Sequence, residues 1–140
     1  MILNNTIMTS KVFYQGNLRT KCVHLKSGNE IITDAPVDNF GKGEAFSPTD
    51  TLATALASCM VTVMAIKADQ LNIEFKNINA EVEKIMSSNP RRISEIKVQI
   101  NLPINISKKE KVIIERAGDN CPIHNSLNPK VKRTIKYNWI

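Results

Sequence analysis

Residues 47–70, "SPTDTLATALASCMVTVMAIKADQ", limit what this chain can fold into more than any other stretch. Ser47 can cap a helix, Pro48 suits the first helical position, and Asp50 stands where a capping-box acid closes back onto the cap. A helix is expected from there to about Gln70, roughly 22 residues or about 33 Å at 1.5 Å per residue. Leu52, Leu56, Cys59, Val63 and Ile66 share one face, and Ala53, Ala57, Met60 and Met64 another. Only the small hydroxyls of Thr51, Thr54, Ser58 and Thr62 interrupt the cylinder. A helix apolar all round must be enclosed by protein. A chain of 140 residues has little material to enclose one that long, so a second subunit is the expected source of the missing cover. The apolar run 52–66 is shorter than the about 20 residues a bilayer needs, and no membrane association is expected.

The rest of the chain reads as strands around a second helix. "KVFYQG", "LRTKCVHL" and "EIIT", broken by Gly16 and by Ser27-Gly28-Asn29, give a hairpin or meander over 11–33. Residues 34–46, "DAPVDNFGKGEAF", form a loop long enough to suggest a function. Two β-rich runs, 73–86 and 92–104, are joined by "SSNPR", and within them "AEVEKI" and "SEIKVQINL" alternate polar with apolar. A second helix starts at Ser107, with Glu110 completing a capping box, and ends at Gly118. "DNCPIHNSL" then predicts one or two helical turns, capped by Asp119 or Asn120 and carrying Cys121 in the first turn. "VKRTIKYNWI" closes the chain as a strand. The order βββ–α–ββ–α–β argues for an α+β fold on antiparallel sheet, in one domain over residues 1–140.

Hydrophobic residues at 42% and charged residues at 23% are those of a globular protein. The net charge of +6 is dispersed and densest in "KVKRTIKY". It comes with no stacking-aromatic module, so the lysines read as a solvated face and no nucleic-acid partner is expected. "MILNNTIMTS" has neither the basic start nor the apolar run of a secretory leader. The expected location is therefore the cytoplasm, where an odd set of three cysteines does not form a structural disulfide framework.

Four chemistries compete for those cysteines. Cys22, His24, Cys121 and His124 could offer zinc four donors, although C-x-H on a strand is unlike the spacing of closed sites. Cys121 with His124 has the spacing of a nucleophile and its base, without a marked oxyanion hole or orienting third group. Burial as small hydrophobes explains Cys22 best and is open to Cys59. A Cys59–Cys121 redox pair needs one reactive thiol. Helix-terminal amides would lower the pKa of Cys121, whereas an apolar helix raises that of Cys59 unless a cation comes close.

"FSPTDTLATALASCM" followed by "CPIHNSL" resembles the OsmC/Ohr family of thiol-dependent peroxide reductases. Family members open the central helix with a proline, place a cysteine eleven residues later, and carry a second cysteine in a C-P motif after a second helix. Pro48, Cys59 and Cys121 match. The likeness runs from about Tyr14 to Trp139, and "TDAPVDNFGKGEAFSPTD" is closer to the general OsmC-like branch than to the dedicated hydroperoxide-resistance branch.

The resemblance implies antiparallel sheets packed around two long central helices in an intertwined homodimer, with no metal and no cofactor. It implies a peroxidatic Cys59, a resolving Cys121, and a disulfide between them reduced by an external dithiol, lipoylated proteins serving in part of the family. Arg19 in "GNLRTK" matches the arginine that activates the peroxidatic sulfur. Relatives hold that arginine with a glutamate directly after the proline. Here that position is Thr49, which leaves Asp50 as a candidate partner for Arg19 or simply the capping acid. The departure keeps a second function in view: a non-catalytic small-molecule-binding or redox-sensing dimer.

Overall fold

The computed structural model describes residues 8–140. Residues 1–7, which open the stretch read above as lacking a leader, lie outside it. The chain divides into two compact units, one up to Thr51 and one from Leu52 to Ile140.

The first unit is the expected meander. Strands β1 (Ser10–Gly16), β2 (Arg19–His24) and β3 (Glu30–Asp34) form an antiparallel sheet in that order. The β1–β2 turn places Asn17 and Leu18 at φ 54° and 63°, the two successive left-handed residues of a tight hairpin. Register sets Val12, Cys22 and Ile31 side by side, and Phe13, Lys21 and Ile32 side by side in the next row. Adjacent rows point to opposite faces, and both faces carry open apolar surface, Val12 and Ile31 being 61% and 55% exposed on one and Phe13 and Ile32 39% and 40% on the other. After β3, residues 35–46 form the loop, with a single 3₁₀ turn at Val37–Asn39.

Helix α1 (Pro48–Gln70) starts where the sequence placed it. Asp50 N–H donates to Ser47 Oγ and Ser47 N–H to Asp50 Oδ2, each at 3.0 Å, a reciprocal capping box. Its buried residues are Ala53, Leu56, Ala57, Met60, Met64 and Ala68, a stripe spaced for one helix face. Of the two apolar faces the Leu52–Ile66 one is not the core face: Leu52 and Ile66 are exposed and only Leu56 of that set is fully buried.

In the second unit the stripe packs against a three-stranded sheet of β4 (Asn79–Ser87), β5 (Arg92–Leu102) and β6 (Lys132–Trp139), in that order. β4 starts later than the β-rich run, although Ile73, Phe75 and Ile78 still pack on the core. Ile96, Val98, Ile100 and Leu102 alternate inward along β5 and join Leu56, Met60, Met64 and Ile114. Each such side chain, fully buried, contributes about 1.5–3 kcal/mol.

β4 and β5 are antiparallel as expected, but β6 lies parallel to β5. The reason is the connection: a parallel neighbour needs a crossover, and helices α2 (Lys108–Asp119) and α3 (Pro122–Ser126) provide it. α2 begins at the predicted Ser107–Glu110 capping box, with bonds of 3.1 and 3.0 Å.

Gly118, near the end of α2, sits closely against α1 and β6. A Cβ there would lie 2.9 Å from Met64 Sδ and 2.8 Å from the Tyr137 hydroxyl. That hydroxyl donates to the Glu115 carbonyl at 3.1 Å and to Asp119 Oδ1 at 2.7 Å, fastening the end of α2 to β6. Gly118→Ala is therefore expected to lower stability by about 1–3 kcal/mol through overpacking, read as a drop in the urea midpoint with an unchanged slope.

Candidate functional site

Two groups of side chains carry the predicted chemistry, one in each unit. In the first, Arg19 stands opposite Asp34 across β2 and β3. Its Nε donates to Asp34 Oδ1 at 2.6 Å and its Nη2 to Asp34 Oδ2 at 2.8 Å, a two-pronged pair. Nη2 also reaches Glu44 Oε2 at 3.3 Å, and the Glu44 amide donates to Asp34 Oδ2 at 3.1 Å. Asp34 is 1% exposed. The Arg19 hydrogen bond holds the Asp34 carboxyl below its usual range against the opposing effect of burial, and Asp34 in turn raises the pKa of Arg19.

The carboxylates found on Arg19 are thus Asp34 and Glu44, neither of which the sequence had suggested, while Asp50 closes the helix cap. Thr49, at the glutamate position, shares a hydroxyl contact of 3.1 Å with Ser47.

In the second unit, Cys59 lies partly buried on α1 and Cys121 fully buried between α2 and α3. Cys59 packs against the core cluster that holds Cys121, and its thiol is near enough to act on that of Cys121. Cys121 is itself the cap of α3, in place of the expected Asp119 or Asn120. Its backbone is extended, and Sγ accepts from the His124 amide at 3.3 Å. The nearness of Cys121 and His124 is therefore a backbone cap. The His124 ring contributes none of it, and its buried Nδ1 has no hydrogen-bond partner among the described residues.

Burial pushes the Cys121 thiol up, the His124 amide opposes that, and Cys59 adds to the rise. The expected lowering by helix-terminal amides is outweighed by desolvation. Cys121 keeps its proton and is a poor first nucleophile.

Elsewhere, Cys22 lies on β2 with Sγ 3.8 Å from Thr20 Oγ1, and His24 Nδ1 bonds Ser27 Oγ at 2.6 Å. Among the described residues no three His, Cys, Asp or Glu side chains are grouped to hold a metal.

The profile of the OsmC-like protein family matches residues 41–136. A crystal structure of a Psychrobacter arcticus 273-4 protein, assigned to the osmotic stress induced and detoxification response, is 49% identical. The match covers 94% of this chain and 96% of that one, with a TM-score of 0.90. An OsmC like protein from Mycoplasma pneumoniae superposes with a TM-score of 0.80 at 19% identity, over 97% and 99% of the two chains. An organic hydroperoxide resistance protein OsmC from Legionella pneumophila does so at 0.74 and 14%, over 94% and 98%. No curated protein matches the chain.

A carboxyl held low in the folded chain stabilises it above its unfolded pKa, about 3.9, and that contribution is lost as pH falls through the folded value. Asp34→Asn is expected to lower the neutral-pH urea midpoint and to flatten its decline between about pH 5 and about pH 3. Parallel acid limbs in variant and wild type would show that Asp34 is not held low.

Proposed function

The chain belongs to the OsmC-like protein family, and from that premise we propose that it is a cytoplasmic, thiol-dependent peroxidase of organic hydroperoxides or hydrogen peroxide. The observation that carries the reading is the packing of Cys59 against the core cluster that contains Cys121, near enough to raise its pKa. The Legionella relative, named for organic hydroperoxide resistance, supports the substrate class.

In the proposed cycle the Cys59 thiolate attacks the distal peroxide oxygen. The O–O bond breaks, alcohol or water leaves with a proton, and Cys59 becomes a sulfenic acid. Cys121 attacks that sulfur, and its proton leaves with the hydroxyl as water, giving a Cys59–Cys121 disulfide. An external dithiol, a lipoylated protein being one candidate, returns both thiols by exchange.

Arg19 is the proposed activating cation, positioned by Asp34 and Glu44 where relatives use glutamate. The same pairing favours a second reading, because a guanidinium already matched by two carboxylates has less charge to offer a thiolate. That reading is a binding or redox-sensing dimer. The two separate in one experiment with peroxide and dithiothreitol. Wild type should consume peroxide catalytically, Cys59→Ser should lose at least 100-fold of the rate, and peroxide without dithiol should remove two hydrogens from the intact mass. Equal rates in wild type and mutant would sink the enzyme reading.

We also propose that the active form is a homodimer. The exposed apolar rows on both faces of the β1–β3 sheet and the open Leu52–Ile66 stripe are what a second copy would cover. Light scattering at micromolar concentration should give twice the chain mass, and the facing pair Val12→Glu with Ile31→Glu should shift it toward one. A monomeric wild type would end this proposal.

A further inference from the structure

We infer that α3 is a clasp that the resolving sulfur holds while reduced and releases when it bonds to Cys59. The inference rests on the disulfide proposed above. Three observations converge on it. Among the described residues the one side-chain cap at the start of α3 is Cys121 Sγ, which accepts the His124 amide. Pro122 leaves no N–H of its own to compete.

The two sides of the sulfur pair also differ in how firmly they are held. Around Cys59, Leu56 and Met60 have no exposed surface, whereas no residue of α3 is fully buried. Both sulfurs are free thiols, so closing them to about 2.05 Å requires movement, and α3 is the side that yields. A disulfide sulfur carries less charge than a thiol sulfur, and accepts the amide less well.

The third observation is the His124 ring. Its buried Nδ1 has no hydrogen-bond partner among the described residues while α3 is docked. An unpaired buried nitrogen opposes docking, and release lets it reach water. Against release stand Ile123 and Leu127, which pack partly on the core. The helix is therefore poised, with the sulfur cap on the docked side of the balance.

Release also meets a need of the proposed cycle. Cys121 is fully buried, out of reach of an external dithiol while α3 is closed. Once α3 opens, a thiolate of the dithiol can attack one sulfur of the protein disulfide, and the other leaves as a thiolate and takes a proton. The second thiol of the dithiol then breaks the mixed disulfide, so the reagent is oxidised by the two electrons the protein gains. The freed Cys121 recaps α3 and closes the clasp.

Hydrogen exchange read by mass spectrometry over residues 122–127 tests this, with intact mass taken on the same samples. Peroxide-oxidised wild type, lighter by two hydrogens, should exchange these amides at least tenfold faster than the reduced chain. Cys59→Ser given the same peroxide should not. In the reduced state Cys121→Ala should also open α3, while Cys121→Ser should keep it closed, because a hydroxyl caps well. Unchanged exchange in a chain whose mass confirms the disulfide overturns the clasp and leaves the peroxidase reading standing. Full protection in Cys121→Ala overturns it as well. A mass that never falls by two hydrogens removes the disulfide and the clasp together.

Discussion

The close approach of Gly118 to Met64 sets how near α2 can come to α1. α1 offers a stripe of buried side chains, but a stripe only holds a partner helix at the distance its bulkiest contact allows. With no side chain at 118, α2 comes in until its backbone meets the methionine, and Tyr137 ties that end of the helix to β6. Cys121 follows three residues later and so arrives beside the helix that carries Cys59. A larger residue at 118 would push away the segment that presents the resolving sulfur, at a place where no chemistry occurs.

Competition between effects decides the character of that sulfur. Helix-terminal amides favour a thiolate, and at a solvated cap they would prevail. Here the sulfur has no exposed surface, and removal from water raises its pKa further than either the His124 amide at 3.3 Å or the Ile123 amide lowers it. The amide still fixes where the sulfur points. Orientation and ionisation are set by different parts of the same surroundings.

Features written in local sequence were legible. Both capping boxes, the length of α1 and the meander follow from cap residues, glycine breaks and alternation, each needing only a few neighbours. The direction of β6 was not, because an alternating run looks the same in either orientation and only the path of the crossover decides. The core face of α1 was hidden for a related reason: an all-apolar helix gives no contrast from which to pick a side.

Two site features were written but went unread. Pro122 in a first helical position makes the residue before it the cap, which points to Cys121 rather than Asp119 or Asn120. Arg19 and Asp34 are equally far from the middle of the β2–β3 hairpin, so its register pairs them. Glu44 had no such signal, since it reaches Arg19 through an irregular loop.

The parallel pairing of β5 with β6 also sets an order in time. β6 can dock only after the chain has run through both helices and returned, and the entropy of closing that long connection comes before its contacts reward it. Cys59 lies on a helix that can form from local contacts, whereas Cys121 lies inside the returning segment. The two sulfurs therefore come from segments far apart in the chain, and only the returning segment brings them together. A growing chain has its Cys59 in place before the segment that presents Cys121 exists.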